Sequence, residues 1–219
     1  MGKGRLVVVS HPYAEHLLTV LRDKGTGLRV FRETMRRMGL LLAMEISREI
    51  PSRKVYVETP LGVKAEARLL DTGRVVIVAV LRAALPLVEG MLEVFEDARL
   101  GLVAARRVEE KGMRPDKTFE IELNYTSIPS LDREDVLIVA DPMLATGSTL
   151  VEAVGKIISH SGEPGKLVFA TVIATRIAVD RLRSRFPDAV IYTVSVDPEL
   201  NKKGYIVPGL GDAGDRAFG

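Results

Sequence analysis

Val136-Leu137-Ile138-Val139-Ala140-Asp141-Pro142-Met143-Leu144-Ala145-Thr146-Gly147-Ser148-Thr149 reads as a strand, a loop and the first turn of a helix. Five consecutive apolar residues mark a strand buried on both faces, as in a parallel sheet, and Leu150, Val154, Ile157 and Ile158 continue at helical spacing. A helix N-terminus leaves backbone N–H groups unpaired and carries partial positive charge, so a loop of small hydroxyl residues there forms a phosphate cradle. Thr146, Ser148 and Thr149 can add hydroxyl donors, and Gly147 removes a side chain where backbone must approach an anion. Asp141, at the strand end, can accept hydrogen bonds from vicinal sugar hydroxyls. For TGST alone a capped tight turn is the plainer reading. The whole loop from Asp141 to Thr149 favours sugar plus phosphate.

The same pattern repeats on either side. Val75 to Leu81, Leu100 to Ala104, Leu167 to Ile173 and Val190 to Val194 are short apolar runs separated by helix-length segments. Such runs indicate βαβ units in an α/β fold, with ligands beyond the carboxyl ends of the strands. Phe31, Met35, Met38, Leu42 and Ile46 form one face of a helix expected between Leu28 and Ile50. Alternation through Val55, Val57, Leu61 and Val63, interrupted at Thr59 and Pro60, predicts a peripheral antiparallel hairpin. Arg106 to Ser130 is polar, with Gly112, Pro115, Pro129 and one alternating piece, Phe119 to Tyr125. It predicts a long excursion, either a lid or binding loop or a solvated hairpin.

The chain has 219 residues, suiting one domain, and no cysteine, which excludes disulfides, thiolate zinc sites and cysteine nucleophiles. His11, His16 and His160 lack metal-ligand spacing and read as solvated or structural. A net charge of +2 gives no basic field for nucleic acid, and a small anionic ligand fits better. No apolar run approaches the ~18 residues of a membrane span. Within Met1 to Ser10, Leu6 to Val9 is too short for a signal-peptide core, so a cytoplasmic location is expected. Absence of Gln and Cys, with only Asn124 and Asn201 as asparagines, suggests a thermophile.

DPMLATG, from Asp141, resembles the motif by which type I phosphoribosyltransferases bind 5-phosphoribosyl 1-pyrophosphate (PRPP), in its uracil-specific form. Most relatives carry two adjacent acids; here Ala140 precedes Asp141, as in the uracil branch. The tail from Gly204 to Gly219 contains GLGDAG, a formal match to the dinucleotide fingerprint. That fingerprint requires a βαβ context and a following helix, and no Rossmann helix is expected after Gly214. A disordered glycine-rich tail is another reading. GYIVPGLGDAGDRAFG is, however, similar along its length to the base-binding tail of uracil phosphoribosyltransferases.

The resemblance implies a type I phosphoribosyltransferase fold: a mostly parallel central sheet flanked by helices, a protruding loop or hairpin, and a C-terminal base-binding hood. Within a single domain it places an N-terminal helical and hairpin part at about 1–72, the core at about 73–195 and the tail at about 196–219. The implied reaction is uracil plus PRPP giving UMP and pyrophosphate. Asp141, Pro142, Met143, Leu144, Ala145, Thr146, Gly147, Ser148 and Thr149 would bind PRPP together with Arg82, Arg107 and Asp212. Arg82, Arg107 and Asp212 form the implied catalytic set, with Arg106 as a substitute for Arg107. Ala84 replaces a glycine of the family's LRAGL-like segment. Ile206, Gly211, Asp212 and Ala213 would contact uracil, whose order of donors and acceptors backbone groups can read. Magnesium would arrive with PRPP, Asp212 being the protein group that could touch it. Asp215 and Arg216 are expected as a surface pair. Family members form dimers or tetramers, and some respond to GTP and CTP. The acceptor of the uracil N1 proton stays open among pyrophosphate, Asp212 and water. Rival readings are a purine or orotate phosphoribosyltransferase, which the tail disfavours, and a non-catalytic regulator binding RNA or DNA.

Overall fold

The computed structural model describes residues 4–219, so the first three residues of the Met1 to Ser10 reading lie outside it. Strand β1 (Leu6–Val8), helix α1 (Pro12–Arg22) and helix α2 (Leu28–Ile46) open the chain. Phe31, Met35, Met38, Leu42 and Ile46 are all fully buried along one face of α2. The helix stops four residues before the expected Ile50, passing into a 3₁₀ turn at Ser47–Glu49. β2 (Ser52–Glu58) and β3 (Lys64–Leu70) form the expected antiparallel hairpin as a sheet of their own.

β4 (Val75–Leu81) is buried from Val75 to Val80, which is why it reads as a continuous apolar run. It leads into α3 (Leu85–Leu92), packed across α2. That crossing depends on two glycines. A Cβ at Gly39 would stand 1.9 Å from the Leu87 carbonyl oxygen, and one at Gly90 1.8 Å from that of Arg36.

β5 (Arg99–Arg107) and β6 (Ile121–Ser127) pair antiparallel, so the polar stretch from Arg106 folds back as a hairpin on the sheet edge. β7 (Val136–Ala140) follows, then β8 (Met143–Leu144) and α4 (Ser148–Ser161). The apolar run expected at Leu167 to Ile173 breaks at Thr171 and Val172 into β9 (Lys166–Ala170) and β10 (Ile173–Thr175). The Thr171 hydroxyl donates to the Ile173 carbonyl and supports the break. α5 (Arg176–Arg185), β11 (Val190–Thr193), β12 (Ser195–Asp197), β13 (Glu199–Leu200), β14 (Ile206–Val207) and α6 (Ala213–Phe218) complete the chain.

The main sheet runs β1-β11-β9-β7-β4-β5-β6, all neighbours parallel except β5 and β6. A small parallel sheet, β12-β10-β8, lies directly beyond the carboxyl ends of β11, β9 and β7. Separate buried clusters cover the two faces, one centred on α2 and α3, the other on α4 and α5. Removing one of the large side chains, as in Phe31→Ala, costs about 3–5 kcal/mol. The cores thus hold the carboxyl edge rigid.

Candidate active site

A cavity of 530 Å³ opens at that edge. Its floor begins where β7 ends. Asp141 donates its backbone N–H to the Ala170 carbonyl at 3.1 Å, and its Oδ1 accepts from the Met143 N–H at 3.1 Å. Burial pushes the Asp141 carboxyl up to about 6, against the opposing pull of the Met143 N–H and the Arg107 charge. Gly147, φ +80°, caps α4 in the left-handed region with no side-chain cap, leaving the helix N-terminus to a ligand.

The loop hydroxyls have different partners. Thr146 Oγ1 donates to Ser148 Oγ at 3.1 Å, and Ser148 Oγ accepts the Phe119 N–H at 3.2 Å. Ser148 is therefore turned toward the β5–β6 hairpin and does not line the cavity, while Thr146 and Thr149 do. Thr175 Oγ1 donates to the Ala145 carbonyl at 2.6 Å from beneath. Arg181 of α5 donates to the backbone carbonyls of Thr146, Asp116 and Lys117, tying the hairpin end to the loop.

Arg82 follows β4 across a cis peptide and donates to Asp215 at 3.1 Å. Arg107 ends β5 with its guanidinium over the Phe119 ring, 4.6 Å from the centroid. Arg106 lines the same mouth but is held by Glu122 at 2.6 Å. Of the residues singled out in the sequence, Arg82, Arg107, Asp141, Met143 to Gly147, Thr149, Ile206 and Asp212 line the cavity. Pro142, Ser148, Gly211 and Ala213 are not part of its lining; Ala213 is fully buried and Gly211 is exposed.

The tail is ordered by its own hydrogen bonds. β13 and β14 pair antiparallel, with positive φ at Gly204, Gly209 and Gly211. A six-residue helix, α6, begins inside the GLGDAG stretch instead of after it, because Asp212 Oδ1 caps it by accepting the Asp215 N–H at 3.0 Å. The strand leading into that helix, β14, is paired antiparallel with β13, so α6 does not belong to a βαβ unit and a dinucleotide fingerprint remains excluded. The expected Asp215–Arg216 surface pair is corrected. Asp215 faces Arg82, whereas Arg216 lies over the Phe31 ring and donates to the carbonyls of Leu21, Leu210 and Asp23.

The sequence reading missed a buried clamp on this tail. Arg22 donates to both carboxylate oxygens of Asp197, at 2.9 and 2.6 Å, and to the Gly209 carbonyl at 3.0 Å. Asp197 also accepts from Ser195 Oγ at 2.7 Å and the Gly209 N–H at 3.0 Å. Burial pushes the Asp197 carboxyl up, but bonds from Arg22, Ser195 and Gly209 outweigh it and hold it below its usual value. The local signal was slight, since Asp197 stands three residues past the apolar run that ends at Val194.

The family described as uracil phosphoribosyltransferase matches residues 8–219. The uracil phosphoribosyltransferase of Pyrobaculum arsenaticum is 51% identical over 96% of this chain and 97% of its own. That of Metallosphaera sedula is 44% identical over 97% and 98%. The solved AQ2163 protein from Aquifex aeolicus superposes with a TM-score of 0.87, at 34% identity over 98% of both chains.

Proposed function

The chain belongs to the uracil phosphoribosyltransferase family, and we propose that the cavity at its sheet edge converts uracil and PRPP to UMP and pyrophosphate. One observation carries the assignment of roles. The loop from Asp141, both arginines Arg82 and Arg107, and Asp212 with Ile206 of the tail converge on one cavity, although they are spread over 131 residues from 82 to 212.

The loop and the α4 N-terminus hold the ribose 5-phosphate, with Asp141 toward the ribose hydroxyls. Arg82 and Arg107 take the pyrophosphate, whose negative charge grows as the bond to the sugar C1 breaks. Fixed cations at that point lower the barrier; one such group is worth about 3–4 kcal/mol. Tail backbone from Ile206 to Ala213 orients uracil, so its N1 faces C1 and positioning supplies much of the rate.

Magnesium fits the donor chemistry. Among the described residues no cluster of three or more His, Cys, Asp or Glu could hold a metal. The carboxylates of Asp141 and Asp212 nevertheless line the cavity. Two hard oxygen donors suit a cation held mainly by substrate phosphates, whose charge it would offset. Asp212 uses Oδ1 for its cap, which leaves Oδ2 for that contact.

A homo-oligomer is supported by the β2–β3 hairpin, where Tyr56, Leu61 and Val63 are 70%, 87% and 58% exposed. GTP and CTP as effectors rest on the resemblance alone. Among the described residues no helix is long and apolar enough to cross a membrane.

Incubating the protein with magnesium, PRPP and, in separate reactions, uracil, cytosine, orotate or hypoxanthine tests the assignment. UMP alone is expected. Absence of UMP, or a purine nucleotide in its place, overturns it.

A further inference from the structure

Phe119 lies in the most polar part of the chain, yet it is only 8% exposed. Three parts of the site meet on it. Its backbone N–H donates to Ser148 Oγ of the phosphate loop at 3.2 Å. The Arg107 guanidinium covers its ring face at 4.6 Å. Its ring edge abuts the tail at Gly204, where a Cβ would stand 2.7 Å from Cε2 and 2.8 Å from Cζ. Gly204 is followed by Tyr205 and Ile206, and all three line the cavity.

We propose that Phe119 is a positioning residue that holds Arg107 toward pyrophosphate through its ring face and seats the base-binding tail through its ring edge. The inference rests on the assignment of Arg107 to pyrophosphate made above. A carboxylate in the same place would compete with the ligand for the guanidinium, as Glu122 does for Arg106. An aromatic face attracts the cation but takes up none of its in-plane N–H groups, which remain directed at an anion. Gly204, at φ +77°, has neither the conformation nor the space for a side chain, so the ring fixes how near the tail can come.

The two functions of the ring separate by substitution. Phe119→Leu keeps the backbone N–H and most of the apolar volume against Gly204 but has no π face. KM for PRPP should rise roughly five- to thirtyfold, with KM for uracil unchanged. In an Arg107→Ala background the same substitution should add nothing, because the effect passes through Arg107. Phe119→Ala removes the edge as well and should raise both KM values. Melting temperatures report whether each variant folds, and Phe119→Met repeats the comparison if leucine packs poorly.

An unchanged PRPP KM in Phe119→Leu overturns the inference, as does a rise of the same size with Arg107 already removed. An Arg107→Ala variant with normal PRPP KM instead overturns the pyrophosphate assignment itself. The two failures are therefore distinguishable.

Discussion

Arg82 meets Asp215 across the cavity mouth, guanidinium to carboxylate at 3.1 Å, with both side chains more than half exposed. A pyrophosphate that takes Arg82 must displace this partner. An exposed pair contributes only about 0–1 kcal/mol, so the displacement is easy and the contact acts as a placeholder. Asp215→Asn should lower KM for PRPP by at most about fivefold, with the gain fading as salt screens the charges. Arg82→Ala should raise it at least about tenfold. Steady-state kinetics at low and high salt give both values; a Asp215→Asn variant with sharply weakened PRPP binding would show that the pair assists binding.

Asp141 sits where function and stability oppose one another. Its folded pKa of about 6 lies above the ordinary carboxylate value, so the protonated form is favoured in the folded state. The resulting cost is absent at low pH and grows to about 3 kcal/mol as pH rises through 6. Asp141→Asn keeps an oxygen for the Met143 N–H and removes the charge. It should melt above the parent at pH 8, match it near pH 4, and bind PRPP more weakly. Equal melting curves at pH 8 would refute the stored cost.

Asp212 caps α6 and also lines the cavity, where the proposed reaction gives it a ligand-facing role. Asparagine can cap α6 through the same oxygen, whereas alanine cannot, and loss of a cap costs about 1 kcal/mol. Asp212→Asn should therefore keep the parent's melting temperature while turnover falls by roughly tenfold or more. Asp212→Ala should lose turnover and some stability together. Full activity in the asparagine variant would leave Asp212 with its structural role alone.

The Arg22–Asp197 clamp should govern both stability and tail placement. Asp197→Ala leaves a partly buried guanidinium without its anion, a loss of about 3–5 kcal/mol. The folded carboxyl titrates below its unfolded value, so its stabilisation is present above about pH 4 and disappears as pH falls through the folded pKa. Chemical denaturation from pH 3 to 7 should show the stability difference between parent and variant shrinking at the acid end and holding constant at the neutral end, since the other carboxylates titrate alike in both. KM for uracil should rise more than KM for PRPP, since Gly209 belongs to the tail.

The runs at Val75 to Leu81 and Val136 to Ala140 were legible because burial on both faces leaves no polar positions, and the structure reproduces both boundaries. The loop after β7 was legible for a local reason too: its small residues and positive-φ glycine are contiguous. What escaped the sequence was set by distant partners. β6 is fixed by its pairing with β5, and Arg22 finds Asp197 across 175 residues. Nothing near Ser148 in the sequence shows that its oxygen accepts the Phe119 N–H from 29 residues away.

Gly39 and Gly90 lie outside the cavity lining, yet the close helix crossing they permit fixes where α3, and with it the chain just after Arg82, can sit. α3 starts three residues after that arginine, and its height above the sheet is set by direct contact with the backbone of α2. Two missing methyl groups thus act as a spacer gauge. Widening the helix crossing by one carbon atom would carry the Arg82 loop outward with α3. The tolerance of this site for sequence change is therefore written partly in a helix pair on the far side of the wall, where drift is barred by geometry and not by chemistry.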